Sequence, residues 1–266
     1  MANATAATRA LNVLRLMAKS GAPVTASSLA TKLDLPRSSM YHLLAALEAD
    51  GYVIHYPEDS RWGLGIATFE LGQAYLRHDP LERLARPILA KLVHEVERKL
   101  PAIGHLAILH GDETLYLLRE LPRRPIGTVT EVGVRLPAHL TASGRAMLAQ
   151  LPAKQVRALY GGKSADQDSQ TPLLNRTGLG PATIGALMTQ LAQDKAAGYA
   201  SEDGHITAGL SGISVAVLDH LDFPVAALNL TFQTDAASAE LRDRLTQALQ
   251  LGAASLSKNL GRHSRS

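Results

Sequence analysis

Cysteine is absent from all 266 residues, which rules out a disulfide, a thiolate nucleophile and any cysteine metal cluster. That absence fits a reducing cytoplasm. Long apolar runs are also missing: nothing approaches the ~20 residues that a membrane span requires. The opening "MANATAATRALNVLRLMAKSG" shows no basic patch followed by an apolar block and a cleavage site, so it does not read as a secretory signal. A cytoplasmic protein without membrane attachment is expected. A dominant charge sign is lacking too. Twenty-seven Lys+Arg against 24 Asp+Glu leave a net +3, too small to signal nucleic acid by itself.

Catalytic motifs are equally scarce. "GLSGIS" lacks the G-x-S-x-G spacing, and no H-E-x-x-H occurs. "GLGPATIG" follows no clear strand, as a phosphate loop would, and the S-x-x-K of "SLSK" falls at the end of the last helical stretch. His105, His110 and His139 lie in different segments without short ligand spacing, so they read as satisfied or exposed histidines, not metal ligands. No enzyme, cofactor or metal site is expected, and there is no internal repeat.

What is present is helix and strand grammar for two ordinary domains. Thr8 to Ala18 places Leu11, Leu14, Leu16 and Met17 near helical spacing, ended by Gly21-Ala22-Pro23. In "VTASSLATKLD" Thr25 is a plausible N-cap, with Leu29, Ala30 and Leu33 facing inward. A third helix follows with Pro36 in its first turn, a stripe of Met40, Leu43, Leu44 and Leu47, and Gly51 as its stop. "YVIHY" and "RWGLG" flank the polar tip Pro57-Glu58-Asp59-Ser60, a β-hairpin signature. Residues 1–65 therefore read as three helices and a wing, and 66–79 as a linker helix. Residues 80–260 read as an α+β domain on an antiparallel sheet, and 261–266 as a frayed tail that exposes Arg262 and Arg265. The second domain should open with an amphipathic helix carrying Leu81, Leu84, Ile88, Leu92 and Val96, kinked or split at Pro87.

The front of the third helix carries side chains that no core needs. A helix-turn-helix lays its second helix in the DNA major groove, and the first turns and outer face make the contacts. Those positions here are Arg37, Ser38, Ser39, Tyr41 and His42, with Arg61 of the hairpin placed for the adjacent backbone or minor groove. Arg37 suits a phosphate or a guanine edge, and the two serines let the backbone and the helix dipole approach a phosphate. The bland reading makes each an ordinary solvent-facing residue. The order of helix, helix, Pro-started helix, glycine and hairpin in so short a span weighs against it. Charge does not decide the matter, since residues 1–64 hold six Lys/Arg and five acids. Trp62 reads as packing at the wing base.

Taken together, "ATRALNVLRLMAKSGAPVTASSLATKLDLPRSSMYHLLAALEADGYVIHYPEDSRWGLG" resembles the winged helix-turn-helix of the IclR family of bacterial transcription regulators. The likeness continues through "ERLARPILAKL", "VGVRLPAHLTASGRAMLAQLP" and "GISVAVLDHLDFPVAALNLTF", covering nearly the whole chain. It implies a dimer or tetramer on a double-stranded, pseudo-palindromic operator, and a GAF/profilin-like C-terminal domain that binds a small carboxylate effector. Members often carry arginine where this chain has His42.

Two features of the second domain suggest where an acid would sit. Thr141 caps a helix whose opening N–H groups, at Ala142, Ser143 and Gly144, attract carboxylate or phosphate, and Gly144 admits a close approach. Along "VAALNLTF" the period of two separates Ala227, Asn229 and Thr231 from Leu228, Leu230 and Phe232. The polar face lines a pocket or faces water; the pattern fits both. The family resemblance favours the pocket. It implicates Ala142 and Ser143 through their N–H groups, with Glu202, Leu210, Gly212, Asn229 and Thr231, and an apolar wall of Pro125, Thr128 and Leu136. Gly212 stands where members can have cysteine and Glu202 where they can have aspartate. A glycine there implies a ligand larger than a two- or three-carbon acid, and the late strands look like members governing aromatic-acid breakdown. Arg123-Arg124 reads as a solvated loop, with pairing to a ligand carboxylate as the lesser reading. The competing readings are a sensor acting through protein partners and a repressor of a non-aromatic acid pathway.

Overall fold

The computed structural model describes residues 2–78, 80–124, 126–127, 130–161 and 171–261. Pro125, Thr128, Arg262 and Arg265 lie outside them. The chain divides into two compact units, Met1–Pro80 and Leu81–Ser266.

The first unit contains α1 (Ala2–Ser20), β1 (Val24–Thr25), α2 (Ala26–Lys32), α3 (Arg37–Ala49), β2 (Val53–Tyr56), β3 (Arg61–Leu64) and α4 (Ile66–His78). Val13, Met17, Leu29, Met40, Leu44, Val53 and Trp62 form its core, and Trp62 stacks on His55 with ring centroids 4.4 Å apart. Thr25 Oγ1 accepts the Ser28 N–H at 3.2 Å and so caps α2. Pro36 is the N-cap of α3, one place before the expected first turn, and its carbonyl accepts the Met40 N–H. The hairpin tip is a single 3-10 turn closed by Ser60 in a left-handed conformation. β1, too short to announce itself in the sequence, pairs with β3 to give the order β1-β3-β2. Gly65 has a specific reason. A Cβ there would lie 2.2 Å from the Gly51 carbonyl oxygen, which itself accepts the Ala67 N–H as α4 begins.

The second unit opens with α5 (Pro80–Glu97), which runs unbroken through Pro87. There follow β4 (Ala102–His110), β5 (Glu113–Glu120), β6 (Arg135–Pro137), α6 (Ala142–Leu148), α7 (Ala153–Gly161) and α8 (Ile184–Ala197). β7 (Ala200–Asp203), β8 (Leu210–Leu218), β9 (Pro224–Gln233) and α9 (Ala239–Asn259) complete it. The strands form one antiparallel sheet in the order β6-β5-β4-β9-β8-β7. Its central strands are buried on both faces. On one face α5 and α9 contribute Leu89, Leu92, Leu249 and Ala253 to a core with Leu106, Ile213, Leu228, Leu230 and Phe232. Of the expected stripe of α5, Leu81, Leu92 and Val96 are buried and Leu84 and Ile88 only partly so; Ala85, Leu89 and Val93 widen the inward face. α6, α7 and α8 share a second cluster, with Leu148, Val156, Leu187 and Leu191. Among the described residues no helix is long and apolar enough to cross a membrane.

Candidate functional site

In the first unit, burying Met40 and Leu44 turns the opposite side of α3 outward. Arg37, Ser38, Tyr41 and His42 are exposed on that side, Tyr41 by 56 %, and Ser39 is half-buried. The first turn holds no acid, while Glu48 and Asp50 stand at the far end, so the positive pole of the helix and Arg37 point the same way. Arg37 Nη2 donates to Ser27 Oγ at 3.2 Å, which ties the front of α3 to α2. Arg61 Nη1 donates to the Pro23 carbonyl at 3.1 Å, spending one of its donors on the wing base. The arrangement offers one exposed helix face and a flanking hairpin cation, a shape that fits a groove walled by phosphate.

In the second unit the polar face of β9 does not meet water: Asn229 is 3 % exposed and Thr231 9 %, because α6 covers it. Strand register builds a site beneath that helix. Glu202 on β7 pairs with Gly212 on β8, and Gly212 with Thr231 on β9. One row along, Ser214 pairs with Asn229 and Asn229 with His105 on β4. A small pocket brings together six of the expected residues, Ala142, Glu202, Leu210, Gly212, Asn229 and Thr231. Tyr116, Thr130, Thr141, Ile206 and Thr207 complete its lining. Alternation along β5, which buries Thr114, Tyr116 and Leu118, was the available clue to Tyr116. Ser143 and Leu136 are not in the lining. Ser143 is buried inside α6 with its hydroxyl facing the Tyr116 phenol, and Leu136 packs in the apolar cluster of Tyr116 and Ile206.

Two expectations about glycine change. Gly144 admits no ligand: its missing Cβ would sit 2.2 Å from the Ala138 carbonyl oxygen and 2.6 Å from Thr114 Oγ1. Its N–H is also taken, donating to Thr141 Oγ1 at 2.9 Å, and the Arg145 N–H goes to the Thr141 carbonyl. Only the N–H groups of Ala142 and Ser143 are then left without an intrahelical acceptor. Gly212 adds no room either, since a Cβ there would meet Glu202 Oε1 at 3.3 Å and Asn229 Oδ1 at 3.4 Å. The longer acid fills the gap the glycine leaves. The free volume is about 20 Å³, enough for roughly one water.

The electrostatics beneath the pocket rest on a residue that sequence reading passed over. Arg145, fully buried, donates from Nε to Asp194 Oδ2 at 3.0 Å, from Nη1 toward His205 Nδ1 at 3.3 Å, and from Nη2 to the Ser201 carbonyl. This joins α6, α8 and β7. In "SGRAML" an arginine looks like a surface residue, and only its tertiary partners reveal otherwise. Burial pushes the Glu202 carboxyl up to about 7, opposed by the His205 N–H, which donates to Oε2 at 2.8 Å, and by Arg145. Burial likewise holds His105 down to about 3. The neutral ring donates from Nε2 to Thr130 and lies with Nδ1 3.5 Å from Asn229 Nδ2. His139 binds the Leu174 carbonyl through Nε2, and His110 accepts from Arg135. Among the described residues no three such side chains are grouped to hold a metal ion.

Comparison with known proteins identifies the family. The IclR helix-turn-helix domain model matches residues 6–55, and the model for the bacterial transcriptional regulator IclR C-terminal region matches residues 73–258. The HTH-type transcriptional regulator XynR of Escherichia coli K12 is 29 % identical over 244 residues, 90 % of this chain and 92 % of that protein. The HTH-type transcriptional repressor AllR of Klebsiella pneumoniae is 26 % identical over 224 residues, 84 % of this chain and 78 % of that one. In structure, an IclR transcriptional regulator from Alicyclobacillus acidocaldarius superposes with a TM-score of 0.81 at 21 % identity, covering 97 % of this chain and 99 % of that one. An IclR homolog from Microbacterium hydrocarbonoxydans, complexed with 4-hydroxybenzoate, gives 0.79 at 23 % identity over 96 % and 98 %. With an exposed helix face and a wing in one unit and a small polar pocket in the other, family models over both show that this chain belongs to the IclR family: it is a DNA-binding transcriptional regulator with a C-terminal effector domain, not an enzyme.

Proposed function

We propose that this regulator reads a pseudo-palindromic operator through Arg37, Ser38, Ser39, Tyr41, His42 and Arg61. On this reading it changes its hold on that operator when a small organic acid enters the pocket of Ala142, Ser143, Glu202, Leu210, Gly212, Asn229 and Thr231. The observation that carries the reading is the buried polar face of β9: a strand in the middle of a sheet keeps Asn229 and Thr231 inward, beside Glu202 and under the start of α6. Polar groups converging on a small pocket in this way support a ligand site. Pro125, Thr128 and Leu136 remain the proposed outer wall.

The operator reading calls for a dimer or a pair of dimers, since a two-fold site asks for a two-fold protein. Ile66, Phe69 and Leu71 on α4 are exposed apolar side chains that support this helix as a protomer contact. An aromatic carboxylate controlling a catabolic operon is the effector class proposed, in line with the 4-hydroxybenzoate bound by the Microbacterium homolog. A short-chain acid is the second reading, favoured by the free volume of about 20 Å³. An acid can shift the DNA-binding heads only by binding one arrangement better than the other.

Thermal melting against aliphatic and aromatic carboxylates separates the two. A ligand at 100 times its Kd stabilises by about 2.7 kcal/mol, a rise of roughly 5–10 °C for a unit this size. A gel shift on DNA upstream of the gene, with and without the melting hit, then tests regulation. The double change Asn229→Ala and Thr231→Ala should abolish the melting response and the ligand effect while DNA binding persists; an unchanged response removes both residues from the site.

A further inference from the structure

The pocket presents a charge problem. If it accepts an acid, the cation expected to meet that acid is missing: among the described lining residues none is Lys, Arg or His, and one is a glutamate. The cations nearby are committed or neutral. Arg145 on α6 is bound to Asp194 of α8 and to the Ser201 carbonyl. His105 on β4 is a neutral ring held by Thr130. Asp203, next to Glu202 on β7, is paired with Arg242 of α9. Burial, then Arg145, keeps His205 below its ordinary range, and Tyr116 on β5 is a neutral phenol. Gly212 and Thr231 face Glu202 from β8 and β9 and bring no charge.

The hydrogen bonding shows how the problem is resolved. Glu202 accepts the His205 N–H at Oε2 and also the Ile206 N–H, and its Oε1 lies over Gly212. Asn229 spends its Nδ2 on Thr231 Oγ1 at 2.9 Å and toward His105, which leaves Oδ1 turned over the same glycine. Two acceptor oxygens thus share the space above one Cα. Neither can satisfy the other, or an incoming carboxylate, unless a proton lies between them. Both residues are largely buried, Glu202 being 8 % exposed and Asn229 3 %, so an extra negative charge there is poorly screened.

We infer that this pocket binds its acid together with one proton, carried on Glu202 Oε1, and that Glu202 is the residue that selects an effector by its hydrogen-bond acceptors. The balance is simple: one carboxylate anion and one proton from solvent enter, Glu202 changes from carboxylate to carboxylic acid, and its O–H donates to the ligand oxygen. A neutral glutamic acid thereby does the work that an arginine would do in an open site, and bound and empty pockets carry comparable charge. The burial that raises the Glu202 carboxyl to about 7 means this proton is partly in place near neutrality. The inference rests on the effector reading above and adds to it a ligand class: hydrogen-bond acceptors, anionic in solution.

Titration calorimetry on the full-length protein tests it, with pyruvate, benzoate and 4-hydroxybenzoate as probes, each an ionised carboxylate between pH 6 and 9. Binding at pH 8.5 in two buffers of different ionisation enthalpy counts protons directly. The expected result is about one proton taken up per pocket, with affinity falling about tenfold per pH unit above ~7 and level below it. Glu202→Gln keeps a neutral donor without a titrating group, so it should bind the same probe with no proton uptake and no such pH dependence. Binding without proton uptake by the wild type overturns the inference and leaves the effector reading intact. Proton uptake that persists in Glu202→Gln overturns the assignment to Glu202. Failure of every probe to bind at pH 6 overturns the effector reading, and the inference with it. The proton count on the unaltered protein is decisive even if the variant does not fold.

Discussion

Removing Asp194 should unfold the second unit's pocket layer, and the size of the effect follows from where its partner lies. Arg145 is completely buried, with Asp194 at 3.0 Å as its counter-charge and the carbonyls of Leu140 and Ser201 taking other N–H groups. Asp194→Ala leaves a guanidinium inside the protein with carbonyl dipoles but without its ion-pair partner. Stranding one partner of a buried pair costs about 3–5 kcal/mol. For a unit of this length, a midpoint moves by about 2–4 °C per kcal/mol, so the melting temperature should fall by roughly 6–20 °C. Urea unfolding followed by circular dichroism measures the loss. A companion variant sharpens the argument. Arg145→Met with Asp194→Leu replaces the pair by apolar side chains of similar bulk and should recover most of the loss, because the pair's attraction is spent on its own desolvation. A loss below about 1 kcal/mol for Asp194→Ala, or a double variant no better than the single, would refute the view that burial of the charge sets the cost.

Three further outcomes are expected. Arg37→Ala should weaken binding to all DNA sequences alike and lower the salt slope by about one, while the ligand-induced melting shift stays; an unchanged slope argues against a phosphate contact. Gly65→Ala drives a Cβ against the Gly51 carbonyl 2.2 Å away, so the first unit should lose about 1–3 kcal/mol and the Ala67 amide should exchange faster with solvent. Between about 4.5, the ordinary value for glutamate, and about 7, the folded chain holds a proton on Glu202 that the unfolded chain has released. Stability should therefore fall as pH rises through that window, by up to about 3 kcal/mol, and level off above it. Glu202→Gln should remove this part of the pH dependence, as read from the urea midpoint across pH 4–9.

Much of the first unit was legible because its signals are local. Thr25 as a cap, Met40 and Leu44 as a stripe and Gly51 as a stop each act within a few residues of chain. The two-residue β1 was not, because two residues carry no period and only pairing with β3 defines it. The same contrast governs the pocket. Alternation along β9 separated Asn229 and Thr231 from Leu228, Leu230 and Phe232, yet it could not say which face met water. The covering α6 decided that. The reading of Gly212 as spare room failed because Glu202 comes from another strand, paired across from it, and a one-dimensional pattern holds no information about what a cross-strand neighbour fills.

The sequence by itself determined the order of helices and strands, the outward chemistry of the reading helix and the family, since each rests on short-range spacing and ordered motifs. Only the tertiary structure decided which polar groups are buried together, that Arg145 and Asp194 are a buried pair, and that the Glu202 carboxyl fills the space over Gly212. Burial and charge pairing are set by residues far apart in the chain, and the free energy of a carboxyl depends on what surrounds it in space, not on its neighbours in sequence.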